Sequence, residues 1–242
     1  MARLAVTPRS SLIKTTLADG CIVYGQNRSG FGGRGIYLDR ENIEPEFAQL
    51  KLLIGPGATF VDVGANSGIY SLRAARIVGE QGNVIAVEPF PDVFATLAFS
   101  VRENRLNNVR LRAMCVGDVT GEASFWMNAR KPNSFSLVRH DAQAQRFSVL
   151  TVRLDDLMIW ENLPRLDYLK VDAEGAEERV VAGGRETIER CRPIVQLELT
   201  VRAPRTAFRD YVTFRAPGSP NAVYMPAESP KVAVARGLGW SE

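Results

Sequence analysis

Histidine occurs once in this 242-residue chain and cysteine three times, so metal and redox chemistry begin from a thin supply of ligands. Cys21, Cys115 and Cys191 lie far apart, are odd in number and show no C-x-x-C spacing. They read as buried, reduced thiols, which points to a reducing, cytoplasmic setting and away from a disulfide scaffold. No apolar run approaches the ~18 residues of a membrane-spanning helix, and the N-terminus lacks the apolar core expected of a signal peptide. An excess of one charge is lacking as well, with 30 Lys and Arg against 27 Asp and Glu. The formal net charge is +3, the pI is near 8.9, and the arginines are scattered, which gives no electrostatic footprint for nucleic acid. Internal repeats and low-complexity stretches are missing. What remains is an ordinary globular composition, 45% hydrophobic and 24% charged. A chain of this length buries on the order of 70% of its unfolded surface.

The stretch that organises the chain is Phe60 to Ser71, FVDVGANSGIYS, with its sequel Val84 to Pro89, VIAVEP. Phe60, Val61 and Val63 are strand formers, Gly64 and Gly68 bracket a tight turn, and Ile69 to Ile77 carries apolar residues at helical spacing. Strand, glycine turn, helix and second strand make half of a nucleotide-binding α/β sheet. Gly64 lets the backbone turn and approach a ligand with no Cβ in the way. The first N–H groups of the following helix lack partners within it and suit a carboxylate or phosphate. Glu88 ends the second strand 20 residues past Gly68, the position from which an acid accepts hydrogen bonds from a ribose diol. A dinucleotide site wants G-x-G-x-x-G, yet Gly64 is followed by Ala65, Asn66 and Ser67, and Asp62 stands two residues before it.

With that departure the sequence resembles the S-adenosylmethionine (SAM) methyltransferases, and specifically the FkbM family. The matching stretches are VDVGANSGIYSL, VIAVEPFPDVF, the LDDL at Leu154 to Leu157, and LDYLKVDAEGAEERVVAGG from Leu166. They cover about 45 to 200 in order, with looser similarity at Ala216 to Pro226. The resemblance implies a Rossmann-like class I fold: a seven-stranded, mostly parallel sheet with helices on both faces, behind a short N-terminal β/loop extension. Residues 1–44 are expected to be that extension, a candidate lid or dimer element, and 45–242 the methyltransferase domain. Asp62, Gly64, Ala65, Asn66, Gly68, Glu88, Pro89 and Asp118 are expected to hold SAM and its product S-adenosylhomocysteine. In the family plan Asp118 reaches the adenine amino group; otherwise it is a turn aspartate before Thr120-Gly121. A small-molecule hydroxyl acceptor, a sugar or natural product, is implied, with neither nucleic acid nor membrane as partner and a homodimer left open. A non-catalytic SAM-binding protein and an NAD-dependent oxidoreductase are the alternatives.

Along the chain, Leu12 to Tyr24 alternates as a hairpin turning at Ala18-Asp19-Gly20. Gln26 to Gly35 has four glycines and two arginines in ten residues, which reads as a mobile loop or as a lid using Arg28 and Arg34 to grip substrate. Pro45 to Leu53 and Asp92 to Asn104 read as helices, Val109 to Val116 as one strand, and Ala123 to Met127 with Phe147 to Arg153 as an added hairpin. The excursion between them carries His140, read either as a surface residue or as a base, and Asn133, Ser134 and Ser136, which resemble a pocket-facing family segment. Asp155 or Asp156 is expected to cap the helix opening at Leu154. Asp172 and Glu174 follow the strand Tyr168 to Val171 and are expected to point to one side of an extended backbone, as a catalytic pair with Glu198 as a third rim acid touching substrate. Glu174 has a second reading as a helix cap. Mg²⁺ held by Asp172, Glu174 and Glu198 is conceivable, but the resemblance does not require it and no metal site is assigned. Val212 to Phe214 and Val223 to Met225 read as the last antiparallel strands, and VAVARGLGW as a short strand or a loose tail.

Overall fold

The computed structural model describes residues 11–27, 32–127, 135–137, 139, 142–199 and 208–242. The N-terminal hairpin forms as β1 (Leu12–Thr16) and β2 (Ile22–Gln26), followed by α1 (Gly33–Asp39) and α2 (Pro45–Leu53). The central strand β3 (Thr59–Val63) then gives way to α3 (Ile69–Val78), β4 (Asn83–Val87), α4 (Pro91–Glu103) and β5 (Val109–Arg112). A second, smaller sheet follows from β6 (Cys115–Gly117), β7 (Gly121–Met127), β8 (Phe135–Ser136) and β9 (Gln145–Arg153). Helix α5 (Leu154–Trp160) returns the chain to β10 (Tyr168–Val171), and α6 (Glu177–Gly183) and α7 (Arg185–Cys191) lead to β11 (Ile194–Glu198). The chain closes with β12 (Tyr211–Phe214), β13 (Asn221–Pro226) and α8 (Lys231–Gly237).

The main sheet has seven strands in the order β12-β13-β11-β10-β3-β4-β5, parallel except that β13 runs against both its neighbours. β3 and β10 are buried along their whole length, as strands covered on both faces must be, and this explains their near-continuous apolar runs. The two-residue period sends Phe60 and Tyr168 to one face, where their rings stack at 5.1 Å beside Phe47, Leu72 and Leu97. Val61, Val63, Leu169 and Val171 face the other way, against Leu154, Leu157 and Val180. The hairpin joins the first of these cores through Leu17, Cys21 and Val23. Its open edge is satisfied by α4, where Asn104 Oδ1 accepts from the Ile22 N–H at 2.9 Å and Ser100 Oγ from the Tyr24 N–H at 3.0 Å.

Four expectations change. The run Val109 to Val116 divides between two sheets, because the Glu88 N–H to Arg112 carbonyl bond is the last one β4 donates to β5. The next N–H on that side, that of Phe90, turns to the Glu88 carboxylate at 2.9 Å, and β6 pairs with β9. The Gln26 to Gly35 segment is helical from Gly33 onward, with Ile36 buried against the hairpin; residues 28–31 lie outside the described residues. The C-terminal VAVARGLGW is mainly helix, since Val232 and Ala235 are one turn apart and both buried. Neither Asp155 nor Asp156 caps α5, whose N-cap is Arg153 without a side-chain bond. Asp155 accepts instead from the Thr187 N–H in the first turn of α7 at 2.8 Å, and Asp156 from the Thr120 hydroxyl.

Phe47 is fully buried, with its ring edge-on to Tyr70 and beneath the Arg73 guanidinium. Phe47→Ala should destabilise the protein by about 3–5 kcal/mol. The check is urea unfolding, where the midpoint falls and the slope stays unchanged.

Candidate active site

The site is built where β3 ends. Gly64 has φ +75°, and a Cβ there would stand 1.9 Å from the Asp172 carbonyl oxygen, so only glycine lets the two strand ends lie this close. The Gly64 and Ala65 N–H groups both donate to the Val87 carbonyl at 3.0 Å, folding the turn over the end of β4. Asn66 takes a left-handed φ of 51°, which asparagine tolerates, and its N–H points at Glu88. Glu88 is nearly buried and ties two loops together, accepting from the Asn66 N–H at 3.0 Å and the Phe90 N–H at 2.9 Å. Burial pushes its carboxyl up to about 7, helped by Asp172 and Asp62 and opposed by the two N–H donors.

Glu88 opens on a cavity of about 170 Å³. One wall is apolar, from Phe90, Val93, Met114, Cys115 and Val116, with Phe125 and Leu137 of the smaller sheet's region completing it. The opposite rim is acidic, carrying Asp172, Glu174 and Glu198, and no lysine, arginine or histidine is among the described lining residues. Burial, then Asp172 and Glu174, raise the Glu198 carboxyl to about 8, while Lys170 pulls the other way. A second cavity of about 240 Å³ shares Gly64, Asn66 and Asp172 with the first and is roofed by Gly32, Gly35 and Ile36 around α1. Its floor is Asp62, Tyr70, Lys170 and Glu44. Asp62 is fully buried; Ser71 Oγ donates to its Oδ2 at 2.6 Å, and its Oδ1 has no hydrogen-bond partner among the described residues. Burial raises the Asp62 carboxyl, and Lys170 opposes this.

Asp62, Gly64, Ala65, Asn66, Glu88, Pro89, Asp172, Glu174 and Glu198 therefore line one or both cavities. Three expected residues among those described do not join them. Gly68 caps α3 and faces α4, where a Cβ would meet Leu97 at 2.2 Å. Asp118 is exposed and paired with Arg179 at 2.7 Å, so Met114, Cys115 and Val116 form that part of the wall. Arg34 is exposed on α1 and lines neither cavity. His140, Arg28, Asn133 and Ser134 lie outside the described residues, while the backbone of Ser136 belongs to β8. Glu174 has φ 50°, so the backbone is not extended there and the argument from strand alternation fails, although both acids meet the same cavity. The N-cap of α6 is Ala176, without a side-chain bond, and Glu177 Oε1 accepts from the Ala173 and Gly175 N–H groups just before the helix at 3.1 and 3.0 Å. Among the described residues no group of three or more His, Cys, Asp or Glu is disposed to hold a metal ion. Lys170 is the residue that sequence reasoning passed over. Its signal was available: a lone cation in an otherwise apolar strand needs a buried counter-charge.

A sheet of this strand order, with a glycine turn after its central strand and an acid ending the next, defines the fold of the class I SAM-dependent methyltransferases. The sequence profile of the methyltransferase FkbM domain matches residues 62–216, and the chain belongs to the FkbM methyltransferase family. The 2-O-methyltransferase NoeI of Sinorhizobium fredii is 27% identical over 196 residues, covering 73% of this chain and 77% of that protein. A probable cobalt-precorrin-6B C(15)-methyltransferase of Sulfolobus acidocaldarius is 42% identical over 55 residues, 23% of this chain and 29% of its own. An FkbM methyltransferase solved from Methylobacillus flagellatus aligns over 78% of this chain and 52% of its own, at 17% identity and a TM-score of 0.49. This chain thus spans about half the length of that solved protein.

Glu88 and Glu198 favour their protonated forms in the fold. The stability this gives is full below their ordinary value of 4.5 and is lost as pH rises through about 7 and about 8. The melting temperature of the ligand-free protein should therefore fall by several degrees from pH about 5 to about 8. Glu198→Gln, uncharged at every pH, should flatten the upper part of that decline.

Proposed function

We propose that this chain transfers a methyl group from SAM to a hydroxyl oxygen of a small acceptor, a sugar or secondary metabolite, releasing S-adenosylhomocysteine. The observation that carries the reading is Glu88, held by the Asn66 and Phe90 N–H groups at the mouth of a cavity walled by the glycine turn. The residues present suit this cofactor. Gly64 keeps the backbone bare where the two cavities meet, and Asp62 Oδ1, with no hydrogen-bond partner among the described residues, suits a polar ligand group in the second. Oxygen as the methylated atom is supported by the name of the NoeI relative, a 2-O-methyltransferase.

When bound, SAM supplies a methyl carried on a sulfonium, which is its own leaving group. Glu88 accepts hydrogen bonds from the ribose hydroxyls, and the apolar wall from Phe90 to Val116 covers the base and excludes water. Asp62, Ala65 and Asn66 hold the remainder of the cofactor along the turn. Asp172 takes the acceptor hydroxyl proton, and Glu174 and Glu198 orient the acceptor from the same rim. In-line placement of that oxygen is the other contribution the rim makes. No divalent cation enters this reading, and turnover should survive a chelator.

Calorimetric titration with SAM, S-adenosylhomocysteine and NAD⁺ tests the cofactor half. Micromolar binding of the two sulfur ligands, abolished in Glu88→Ala, is expected; binding of NAD⁺ alone would overturn it. For the acceptor half, Asp172→Ala should bind SAM normally and lose about 10²–10⁴-fold in kcat. Undiminished turnover in that variant would remove Asp172 from the chemistry.

A further inference from the structure

Lys170 sits in register with Asp62 of β3 and Gln196 of β11, on a strand buried on both faces. Its ammonium lies 3.3 Å from Asp172 Oδ2, 3.9 Å from Asp62 Oδ1 and 5.0 Å from the centre of the Tyr70 ring. On the far side of Asp172 the first cavity carries three further acids, Glu88, Glu174 and Glu198, and no described cation. Among the described residues one buried cation therefore serves the carboxylate cluster, and the rim acid it touches is Asp172.

We infer that Lys170 is a positioning residue that divides the labour of the rim: it keeps Asp172 as the ionised carboxylate and leaves the proton on Glu198. The use of this arrangement rests on the methyl-transfer reading; the arrangement itself does not. Like charges this close cannot all ionise, so one acid retains a proton. The acid touching the ammonium keeps its charge most easily, and that acid is Asp172. Glu198 lines the same cavity as Asp172 and Glu174, and burial, then these two acids, favour its neutral form. Facing Lys170 from the other elements are Asp62 on β3, Glu44 at the start of α2 and Tyr70 on α3. The surrounding acids hold the ammonium above its ordinary value against the effect of burial, so Lys170 remains a cation and is not itself the base.

In turnover the acceptor O–H proton passes to Asp172 as the new oxygen–carbon bond forms. The electron pair of the broken sulfur–carbon bond stays on sulfur. Glu198 keeps its proton throughout and donates a hydrogen bond. Without Lys170, Asp172 loses its adjacent cation, the proton shifts onto it, and the base is gone.

Carboxyl-carbon NMR on ¹³C-labelled, ligand-free protein tests this without any acceptor, with assignments from Asp172→Asn and Glu198→Gln. In the wild type the Asp172 signal should be that of a carboxylate at neutral pH, while Glu198 titrates at about 8. In Lys170→Met the Asp172 signal should move at neutral pH through most of the shift separating ionised from protonated carboxyl, and Lys170→Arg should restore it. A protonated Asp172 in the wild type, or an ionised one in Lys170→Met, overturns the inference. If Lys170→Met does not fold, the wild-type titration and Lys170→Arg decide it. Failure of the wild type to bind SAM would instead count against the methyl-transfer reading and leave the carboxyl result standing.

Discussion

At the carboxyl end of β3 the backbone runs so close to β10 that no side chain fits between Gly64 and the Asp172 carbonyl. The rest of the site follows from that approach. It brings the glycine turn and the acidic rim to one edge, and it frees the Asn66 N–H to reach Glu88 on the neighbouring strand. The two cavities then share Gly64, Asn66 and Asp172 as a common border. A substituent at this one position would separate elements that come from more than a hundred residues of chain.

The same edge concentrates charge in a buried setting. Asp62 and Lys170 are paired across β3 and β10, Asp172 closes the group, and Glu88 and Glu198 are raised by burial. Structural stability alone gives no reason to collect these groups, since isolated buried charges are unfavourable. Their convergence at strand ends, where open α/β sheets bind ligands, is what joins fold to chemistry in the proposed reading.

The parts of this arrangement that were legible in the sequence are those dictated by local rules. The apolar run of β3, the two glycines and the acid ending the next strand each have a neighbour-level cause, and the turn predicted from them is present. The added hairpin of β7 and β9 was readable from alternation. Asp118 and Arg34 looked suitable by type and position, but the fold gave Asp118 to Arg179 and turned Arg34 to solvent. Glu174 was placed by strand geometry that its positive φ does not follow.

What the sequence by itself determined is the order of elements and the cofactor-side turn, because periodicity, glycine and strand-terminal acids act over a few residues. Tertiary structure decided which side chains meet. Lys170 faces Asp62 only because β3 and β10, 108 residues apart at Lys170 and Asp62, pair in one register. The apolar wall exists only because the chain leaves the main sheet after Arg112 and β6 joins β9. Strand pairing depends on which edges are free to accept hydrogen bonds, and that is a property of the assembled sheet rather than of any single segment.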